Sequence, residues 1–319
     1  MRLSVALCSH NGESFLPEQL DSVRRQTRPP DEVVIRDDAS SDGTAAVLRR
    51  FARNLPLPVR VEMNPTTAGS TQNFACAIAA CSGDVIVLAD QDDVWLPDKL
   101  RRLEAALLAE PTAGFAFSNA EVVDTRLNPL GYTLWDAIGF APQEQDSFLH
   151  GGAFEGLLRR YRVTGATMAF RAAYRDLILP IPAGWVHDAW IALLIAAVAP
   201  CALIPEPLIR YRQHPGQQHG GRRRGLYAQY RAARQLTRGR CEAVAARYAE
   251  AYDRLTGVPG VSAERLRLLE GKVRHARRRA EMRAPGAWRL PRVVREVCRG
   301  NYGRYSLGWK AVAQDLFLG

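Results

Sequence analysis

The sequence has no long hydrophobic run. The longest apolar segment, 191–199, is far shorter than the roughly 20 residues that a membrane-spanning helix requires. The apolar stretch 3–8 is also short, and polar residues follow it at once. We therefore expect neither a transmembrane helix nor a signal peptide.

The sequence also lacks paired cysteines. Its six cysteines, at positions 8, 76, 81, 201, 241 and 298, include no C-x-x-C spacing. This scatter argues against a zinc site or a disulfide framework, and it predicts reduced core cysteines in a reducing compartment. Internal repeats and low-complexity segments are missing as well.

Acidic residues are scarce in the last third of the chain. From Arg222 onward there are 23 Lys and Arg against 8 Asp and Glu, which more than accounts for the net charge of +10. Such a region suits an anionic partner, either a membrane surface or an acidic polymer, or it forms a solvated helical face. No helix-turn-helix, RNP or zinc signature is present, so nucleic acid is not the expected partner.

Short apolar segments alternate with segments of helical spacing in the first half of the chain. We predict strands over 3–8, 32–36, 59–63 and 85–89, and helices over 14–26, 44–51, 71–80 and 97–109. This rhythm indicates an α/β fold with a mainly parallel sheet flanked by helices. Further predictions are strands over 114–118, 163–170, 201–204 and 208–212, a loop over 124–145, and helices over 185–198, 226–256 and 262–283.

Polar side chains follow three of these strands where each strand ends. They are Ser9, His10 and Asn11, then Asp37 and Asp38, then Asp90, Gln91, Asp92 and Asp93. The carboxyl ends of parallel strands face one crevice, so we expect these groups to converge there. Three neighbouring aspartates repel one another unless a cation joins them, and oxygen ligands suit Mg²⁺ or Mn²⁺ bound together with substrate phosphates. One acid could simply cap the next helix, but a cap does not need three.

The motifs then resemble those of a known family. The segments are LSVALCSHNGESFLPEQLDSVRRQT, DEVVIRDDASSDGT, NFACAIAACSGDVIVLADQDDVWLPDKL, VTGATMAF, WVHDAW and IRYRQH. Over residues 1–219 they resemble a family 2 glycosyltransferase with the GT-A (Rossmann-like) fold, most closely its rhamnosyltransferase-type branch. The resemblance implies a catalytic domain over 1–219. A basic helical region for membrane association or oligomerisation would then occupy 220–319.

The resemblance also implies roles for individual residues. Nucleotide contacts would come from Ser9, His10, Asn11, Asp37, Asp38 and Asn73, with Asp38 accepting a pyrimidine N–H. Donor and ion contacts would come from Asp90, Gln91, Asp92, His187 and His214, with Asp92, Asp93 and His214 as the metal ligands. Asp188 would be the catalytic base. Two positions depart from the usual pattern, since His10 replaces a common Tyr and His187 replaces a common Glu.

The implied activity is an inverting, metal-dependent transfer of a sugar from a dTDP- or UDP-sugar. The expected donor sugar is L-rhamnose. The expected acceptor is a hydroxyl of a cell-surface glycan precursor, such as an O-antigen or another polysaccharide, at the cytoplasmic face of the membrane. A homodimer is an alternative use of the basic region.

Other readings of the same residues stay open at this point. A nucleotidyltransferase would use the same aspartates, but it would require a loop rich in Gly and in Arg or Lys after the first strand, where this chain has SHNGESF. Nucleic-acid binding through the basic region is a second alternative. Asp188 could instead cap a helix and His214 could be a turn residue. Asp37 could order its own loop, and Gly165 could approach the donor or merely kink a strand.

Overall fold

The computed structural model describes residues 1–217, 236–284 and 288–317. The predicted boundary at residues 219 and 220, and the first part of the predicted helix 226–256, lie outside these ranges. The division of the chain into two domains at that boundary stays a prediction.

Nine strands form one sheet. They are β1 Leu3–Ser9, β2 Glu32–Asp37, β3 Val59–Met63, β4 Val85–Ala89, β5 Val94–Trp95, β6 Phe115–Val123, β7 Pro129–Thr133, β8 Met168–Arg171 and β9 Cys201–Arg212. The order is β3-β2-β1-β4-β8-β6-β9-β5, with β7 paired to β6 outside this path. All seven residues of β1 are buried, as expected for a strand with neighbours on both edges and helices on both faces.

The predicted α/β architecture is confirmed, but the sheet is mixed. The pairs β1–β2, β2–β3, β1–β4 and β6–β9 are parallel. The short strand β8 lies antiparallel between β4 and β6, and β5 and β7 also pair antiparallel with their neighbours. The βα rhythm predicted the parallel half because each crossover there is a single helix.

The helices are α1 Leu16–Arg24, α2 Thr44–Asn54, α3 Ser70–Ala80, α4 Lys99–Ala109, α5 Leu134–Ile138, α6 Pro142–Ser147, α7 Ala153–Arg159, α8 Arg175–Ile178 and α9 His187–Ala196. After the undescribed segment come α10 Arg238–Leu255, α11 Ala263–Glu281, α12 Arg289–Cys298, α13 Asn301–Tyr305 and α14 Trp309–Phe317. No helix in these described ranges is both long and apolar enough to cross a bilayer.

Two apolar layers cover the two faces of the sheet. Alternate residues of β1 divide between them, with Ala6 in one layer and Val5 and Leu7 in the other. The Ala6 layer contains α3, α7 and α9 together with Ala251, Leu255 and Leu269 of the C-terminal helices. The C-terminal helices therefore complete the core on one face of the sheet.

Three local predictions were wrong. The segment 124–145 contains β7, α5 and the start of α6, because Thr133 and Asp136 form a reciprocal capping box and Gly139 ends α5 in the left-handed conformation. The predicted strand 163–170 begins as a 3₁₀ turn, Gly165–Thr167, and only Met168–Arg171 is extended. The two strands predicted over 201–212 form one strand, β9, whose register shifts where it pairs with Asn119.

Hydrogen bonds also join the C-terminal helices to the sheet-bearing part of the chain. The Arg254 guanidinium donates to the carbonyl oxygens of Leu177 and Leu179, at 3.1 and 2.7 Å. Arg265 donates to the carbonyl oxygen of Ala197 at 2.7 Å, and the Trp185 indole donates to that of Arg247 at 3.1 Å. We infer that the C-terminal helices unfold together with the sheet.

Replacing Leu255 tests this cooperativity. Leu255 is fully buried in the shared layer, so Leu255→Ala is expected to lower the free energy of unfolding by about 2–5 kcal/mol. Urea unfolding followed by both circular dichroism and tryptophan fluorescence should give one shifted transition. Leu290→Ala is the matched control, since Leu290 is 64% exposed and should change stability by less than about 0.5 kcal/mol. Two separate transitions would show that the C-terminal helices fold independently.

Candidate active site

The polar ends of β1, β2 and β4 meet at one edge of the sheet. The backbone N–H of His10 donates to the Gln91 side-chain oxygen at 2.8 Å, and the Gln91 amide donates back to the His10 carbonyl at 3.0 Å. The His10 ring nitrogen Nδ1 donates to the Asp38 carbonyl oxygen at 2.7 Å, which fixes the ring tautomer. The three strand-end clusters therefore form one connected surface, as the topology predicted.

Asn11 is a strained residue on this surface. Its φ of +48° is in the left-handed region that few non-glycine residues adopt. The Asn11 side-chain oxygen accepts the backbone N–H of Ser41 at 2.8 Å, and the Ser40 hydroxyl accepts the Asn11 N–H. Both His10 and Asn11 are exposed, so both are free to contact a ligand in the crevice.

Asp37 and Asn73 lie below this surface. The Asp37 carboxylate is fully buried and accepts hydrogen bonds from the hydroxyls of Ser9 and Ser40, at 2.8 and 2.6 Å. Asn73 is 1% exposed, donates to the Arg36 carbonyl and accepts from Asn64. In this structure the Asp37, Asn73 and Ser9 side chains hydrogen-bond to neighbouring residues of the protein, and their predicted nucleotide contacts stay predictions.

Asp38 is also buried, but it keeps acceptor capacity. Its Oδ1 accepts from Asn64 and from the backbone N–H of Ala68, at 2.8 and 2.7 Å, whereas Oδ2 accepts only the N–H of Gly69, at 2.8 Å. Burial opposes ionisation, but the bonds from Ala68, Asn64 and Gly69 outweigh it and lower the pKa of Asp38. An ionised carboxylate with one free lone pair can accept a nucleobase N–H if the adjoining loop opens.

The aspartates after β4 form a cluster of carboxyl groups that are poorly hydrated. Burial, then the charges of Asp92 and Asp188, raise the pKa of Asp90 to about 8. Burial, followed by the charges of Asp92 and Asp90, raises the pKa of Asp93 well above its usual value. These carboxyl groups therefore hold protons unusually tightly, and a divalent cation would displace those protons on binding.

Lys99, at the start of α4, lies beside this cluster, and sequence reasoning missed it. Its ammonium is fully buried, donates to the Ala166 carbonyl at 2.6 Å and lies 3.7 Å from the centre of the Trp95 ring. Burial lowers the pKa of Lys99 to about 7, although Asp93 and Asp90 favour its charged form. In the sequence, Lys99 follows a short loop and starts a helix, as many surface lysines do, and nothing marks it as buried.

Arg212, at the end of β9, fixes the aspartate loop from the other side. Its backbone N–H donates to Asp93 Oδ1 at 3.1 Å, and its guanidinium donates to the carbonyls of Asp92 and Thr125, at 2.8 and 2.6 Å, and to the Glu18 carboxylate. Two residues later, His214 Nε2 lies 2.8 Å from Asp92 Oδ2. The sequence R-Q-H thus supplies both an anchor for the loop and a neighbour for its carboxylate.

Asp92 and His214 are the residues best placed to hold a metal ion. Both are partly buried, so they remain reachable from the crevice. Asp93 is fully buried, and its Oδ2 has no hydrogen-bond partner in the described part of the chain. Direct metal ligation by Asp93 stays a prediction. No group of three or more His, Cys, Asp or Glu among the described residues is arranged as a complete metal site. A two-residue set fits an ion that takes its other ligands from substrate phosphates and water.

Asp188 lies in the first turn of α9, close to the aspartate cluster. Its Oδ2 accepts the backbone N–H of Gly165 at 2.7 Å and the hydroxyl of Tyr161. A Cβ on Gly165 would lie 2.8 Å from His187 Nε2 and 3.3 Å from the Asp188 carboxylate, so only glycine allows this close approach. His187 is 5% exposed and stacks on Phe74 with ring centres 3.9 Å apart. Asp188 is likewise 5% exposed, so both side chains are buried beside Gly165.

A family model described as glycosyl transferase family 2 matches residues 4–177. Rv1520 of Mycobacterium tuberculosis, whose name gives no activity, is 27% identical over 223 residues. That match covers 66% of this chain and 59% of the relative, so the chain spans under two thirds of that relative's length. WfgD of Escherichia coli is 25% identical over 122 residues, 38% of this chain and 47% of the relative. Its name describes a UDP-Glc:α-D-GlcNAc-diphosphoundecaprenol β-1,3-glucosyltransferase.

Two solved structures share the fold. TarS of S. aureus (residues 1–349, in complex with UDP-GlcNAc) has a TM-score of 0.57 at 16% identity, with 98% of this chain and 90% of that chain covered. The mannosyltransferase PcManGT of Pyrobaculum calidifontis, in complex with GDP-Man and Mn²⁺, has a TM-score of 0.52 at 20% identity, covering 99% and 84%. Since the family match includes more than half of the 319 residues and all three strand-end clusters, the chain belongs to glycosyl transferase family 2.

Proposed function

We propose that this protein is an inverting, metal-dependent glycosyltransferase that moves a sugar from a dTDP- or UDP-sugar to a hydroxyl of a cell-surface glycan precursor. The observation that carries the proposal is the position of the Asp188 carboxylate, which accepts the Gly165 N–H at 2.7 Å close to the aspartate cluster. A carboxylate facing a donor site at this range can serve as a base.

Asp188 is the proposed base. Its carboxylate takes the proton from the acceptor hydroxyl as that oxygen attacks the anomeric carbon, and one displacement inverts the configuration there. The N–H of Gly165 holds Asp188 Oδ2 in place, so the base needs little reorganisation during the reaction. The Tyr161 hydroxyl, which donates to the same oxygen, has to yield to the acceptor hydroxyl.

The reaction also requires that the negative charge of the leaving diphosphate be stabilised. We propose that Asp92 and His214 hold Mg²⁺ or Mn²⁺, which when bound offsets the charge of the departing diphosphate. Arg212 keeps the Asp92 loop fixed through its carbonyl, and Lys99 limits the repulsion among the aspartates beneath the site. The Mn²⁺ in the complex of PcManGT supports this assignment.

The donor is proposed to be a pyrimidine nucleotide sugar, with L-rhamnose as the sugar. The spare lone pair on Asp38 Oδ2 supports a uracil or thymine N–H as the partner, and exposed His10 and Asn11 lie beside it. The choice of rhamnose rests on the sequence resemblance of the NF…DQDDVW…RQH pattern. The diphosphoundecaprenol acceptor in the name of WfgD supports a lipid-linked glycan acceptor.

We further propose that the enzyme acts at the cytoplasmic face of the cell membrane and touches that membrane with its C-terminal helices. The described C-terminal residues expose large apolar side chains, with Trp288 81%, Leu290 64%, Trp309 77% and Phe317 78% exposed. Exposed arginines of α12 lie among them. Aromatic and cationic side chains together are typical of helices that bind anionic bilayers.

Removing the proposed base is the first functional test. Asp188→Asn is expected to lower kcat by about 10²- to 10⁴-fold, because the amide cannot accept the acceptor proton. Binding of dTDP or UDP, measured by thermal shift, should be unchanged. Asp176→Asn is the matched control, since Asp176 is an exposed acid of α8 that is not among the site residues. Undiminished kcat in Asp188→Asn would remove Asp188 from the mechanism.

Nucleotide and metal binding form the second test. Thermal unfolding of the full chain with UDP, dTDP, GDP, CDP or ADP should show stabilisation by dTDP or UDP that requires Mn²⁺ or Mg²⁺. A ligand at 100 times its Kd adds about 2.7 kcal/mol. We expect Asp92→Asn and His214→Ala to abolish this shift, and Asp253→Asn, on an exposed face of α10, to retain it. No shift with any pyrimidine diphosphate would contradict the proposed donor class.

Vesicle flotation tests the membrane proposal. The protein should float with phosphatidylglycerol-containing vesicles and less with pure phosphatidylcholine, because the C-terminal region is basic. Trp288→Ser with Trp309→Ser should reduce flotation, whereas Leu108→Ser with Leu130→Ser, at 58% and 42% exposed positions elsewhere, should not. Equal flotation with both lipids would reject the proposal. A loss of dimer mass in the Trp variant would assign these side chains to a homodimer contact.

A further inference from the structure

A cavity of about 780 Å³ lies among α7, α11 and α13, apart from the crevice described above. Five arginines line it: Arg267, Arg274, Arg278, Arg299 and Arg304. Two carboxylates, Glu155 and Glu264, are also on its wall. Cationic side chains therefore exceed anionic ones at a concave surface, where low-dielectric walls concentrate the electric field.

Only two of these arginines are neutralised by nearby acids. Arg274 pairs with Glu270, one turn earlier on α11, and Arg278 pairs with the buried Glu296. Within the described ranges, the guanidinium groups of Arg267, Arg299 and Arg304 have neither an ion pair nor a hydrogen bond. These three cations line one cavity and repel one another, and the wall carboxylates Glu155 and Glu264 offset only part of their charge. A bound anion would relieve the remaining repulsion.

The walls of the cavity are held rigidly. A Cβ on Gly271 would lie 2.1 Å from the Tyr305 hydroxyl, so the glycine lets that ring lie directly against α11. Lys272 donates to the Tyr305 carbonyl at 2.6 Å. Glu296, which is 1% exposed, accepts from Asn301 at 2.9 Å and from Arg278, both of which line the cavity. These contacts fix the framework of the cavity before any ligand arrives, whereas the three unpaired arginine side chains become ordered on binding.

We propose that this cavity binds a phosphate-bearing anion with at least two negative charges. The planar guanidinium fork matches phosphate oxygens in pairs, and three unpaired forks fit a diphosphate or a phosphomonoester headgroup better than a single carboxylate. The two possible sources of such a group are a soluble phosphate compound and the headgroup of an anionic lipid. The inference does not depend on the proposed transfer reaction, because none of the cavity residues belongs to the catalytic crevice.

Calorimetric titration of the full chain tests the proposal. Inorganic pyrophosphate and water-soluble dihexanoyl phosphatidic acid are the two probes, and dihexanoyl phosphatidylcholine is the uncharged-headgroup comparison. EDTA is present throughout, so that metal-dependent binding at the crevice does not contribute. We expect at least one phosphate probe to bind and the phosphatidylcholine probe not to bind. Binding of pyrophosphate alone indicates a soluble ligand, and binding of phosphatidic acid alone indicates a lipid headgroup.

Charge-matched variants show whether the binding occurs in the cavity. Arg267→Gln with Arg304→Gln should raise Kd at least about tenfold, or about 1.4 kcal/mol. Arg292→Gln with Arg295→Gln removes the same charge from exposed positions on α12 outside the cavity and should change Kd less than about twofold. Arg299→Gln alone is the substitute if the first pair does not fold. No binding of either phosphate probe, or equal weakening in both double variants, would overturn the proposal.

Discussion

Repulsion among the carboxyl groups that follow β4 is the constraint on which the site depends. Asp90, Asp92 and Asp93 lie within four residues in a poorly solvated place, where each negative charge makes the next one harder to hold. The chain meets this constraint with the buried ammonium of Lys99 and with the N–H of Arg212. Neither group neutralises the cluster fully, and this remaining repulsion is the physical reason for the proposed cation at the loop.

The sheet order places the residues that contact the aspartate loop and Asp188. Because β8 lies between β4 and β6, the 3₁₀ turn before it lies next to β4. In that turn, the Ala166 carbonyl accepts the Lys99 hydrogen bond and the Gly165 N–H donates to Asp188. Because β9 pairs in parallel with β6, Arg212 reaches the aspartate loop from the far side. A wholly parallel sheet, continuing the βα rhythm, would place neither turn nor arginine next to β4. The antiparallel insertion is thus what joins the aspartate loop to Asp188.

Periodicity and strand-end polarity predicted the parallel half of the sheet and the convergence of His10, Asp38 and Asp92, since both depend on local sequence. Residues that act through distant contacts were not predictable in this way. Lys99 resembles a surface lysine until Ala166 and Trp95 enclose it, and Asp37 and Asp38 are adjacent in sequence but serve Ser9 and the 64–69 loop respectively. The segment predicted as a loop over 124–145 contains a capping box, Thr133 and Asp136, which is visible in the sequence and could have predicted α5.

The arginines of the basic C-terminal region differ in their partners, and the net charge alone does not show this. Arg279 and Arg283 pair with the buried Asp315, so their charge serves folding and is not available to a partner. Arg254 and Arg265 donate to carbonyls of the sheet-bearing part and fasten the helices to it. The charge that remains for recognition is therefore smaller than the sequence count, but it is concentrated. Its attraction for an anion depends on position as much as on number, because cations that line one concave surface add their fields there, whereas cations spread along a helix do not.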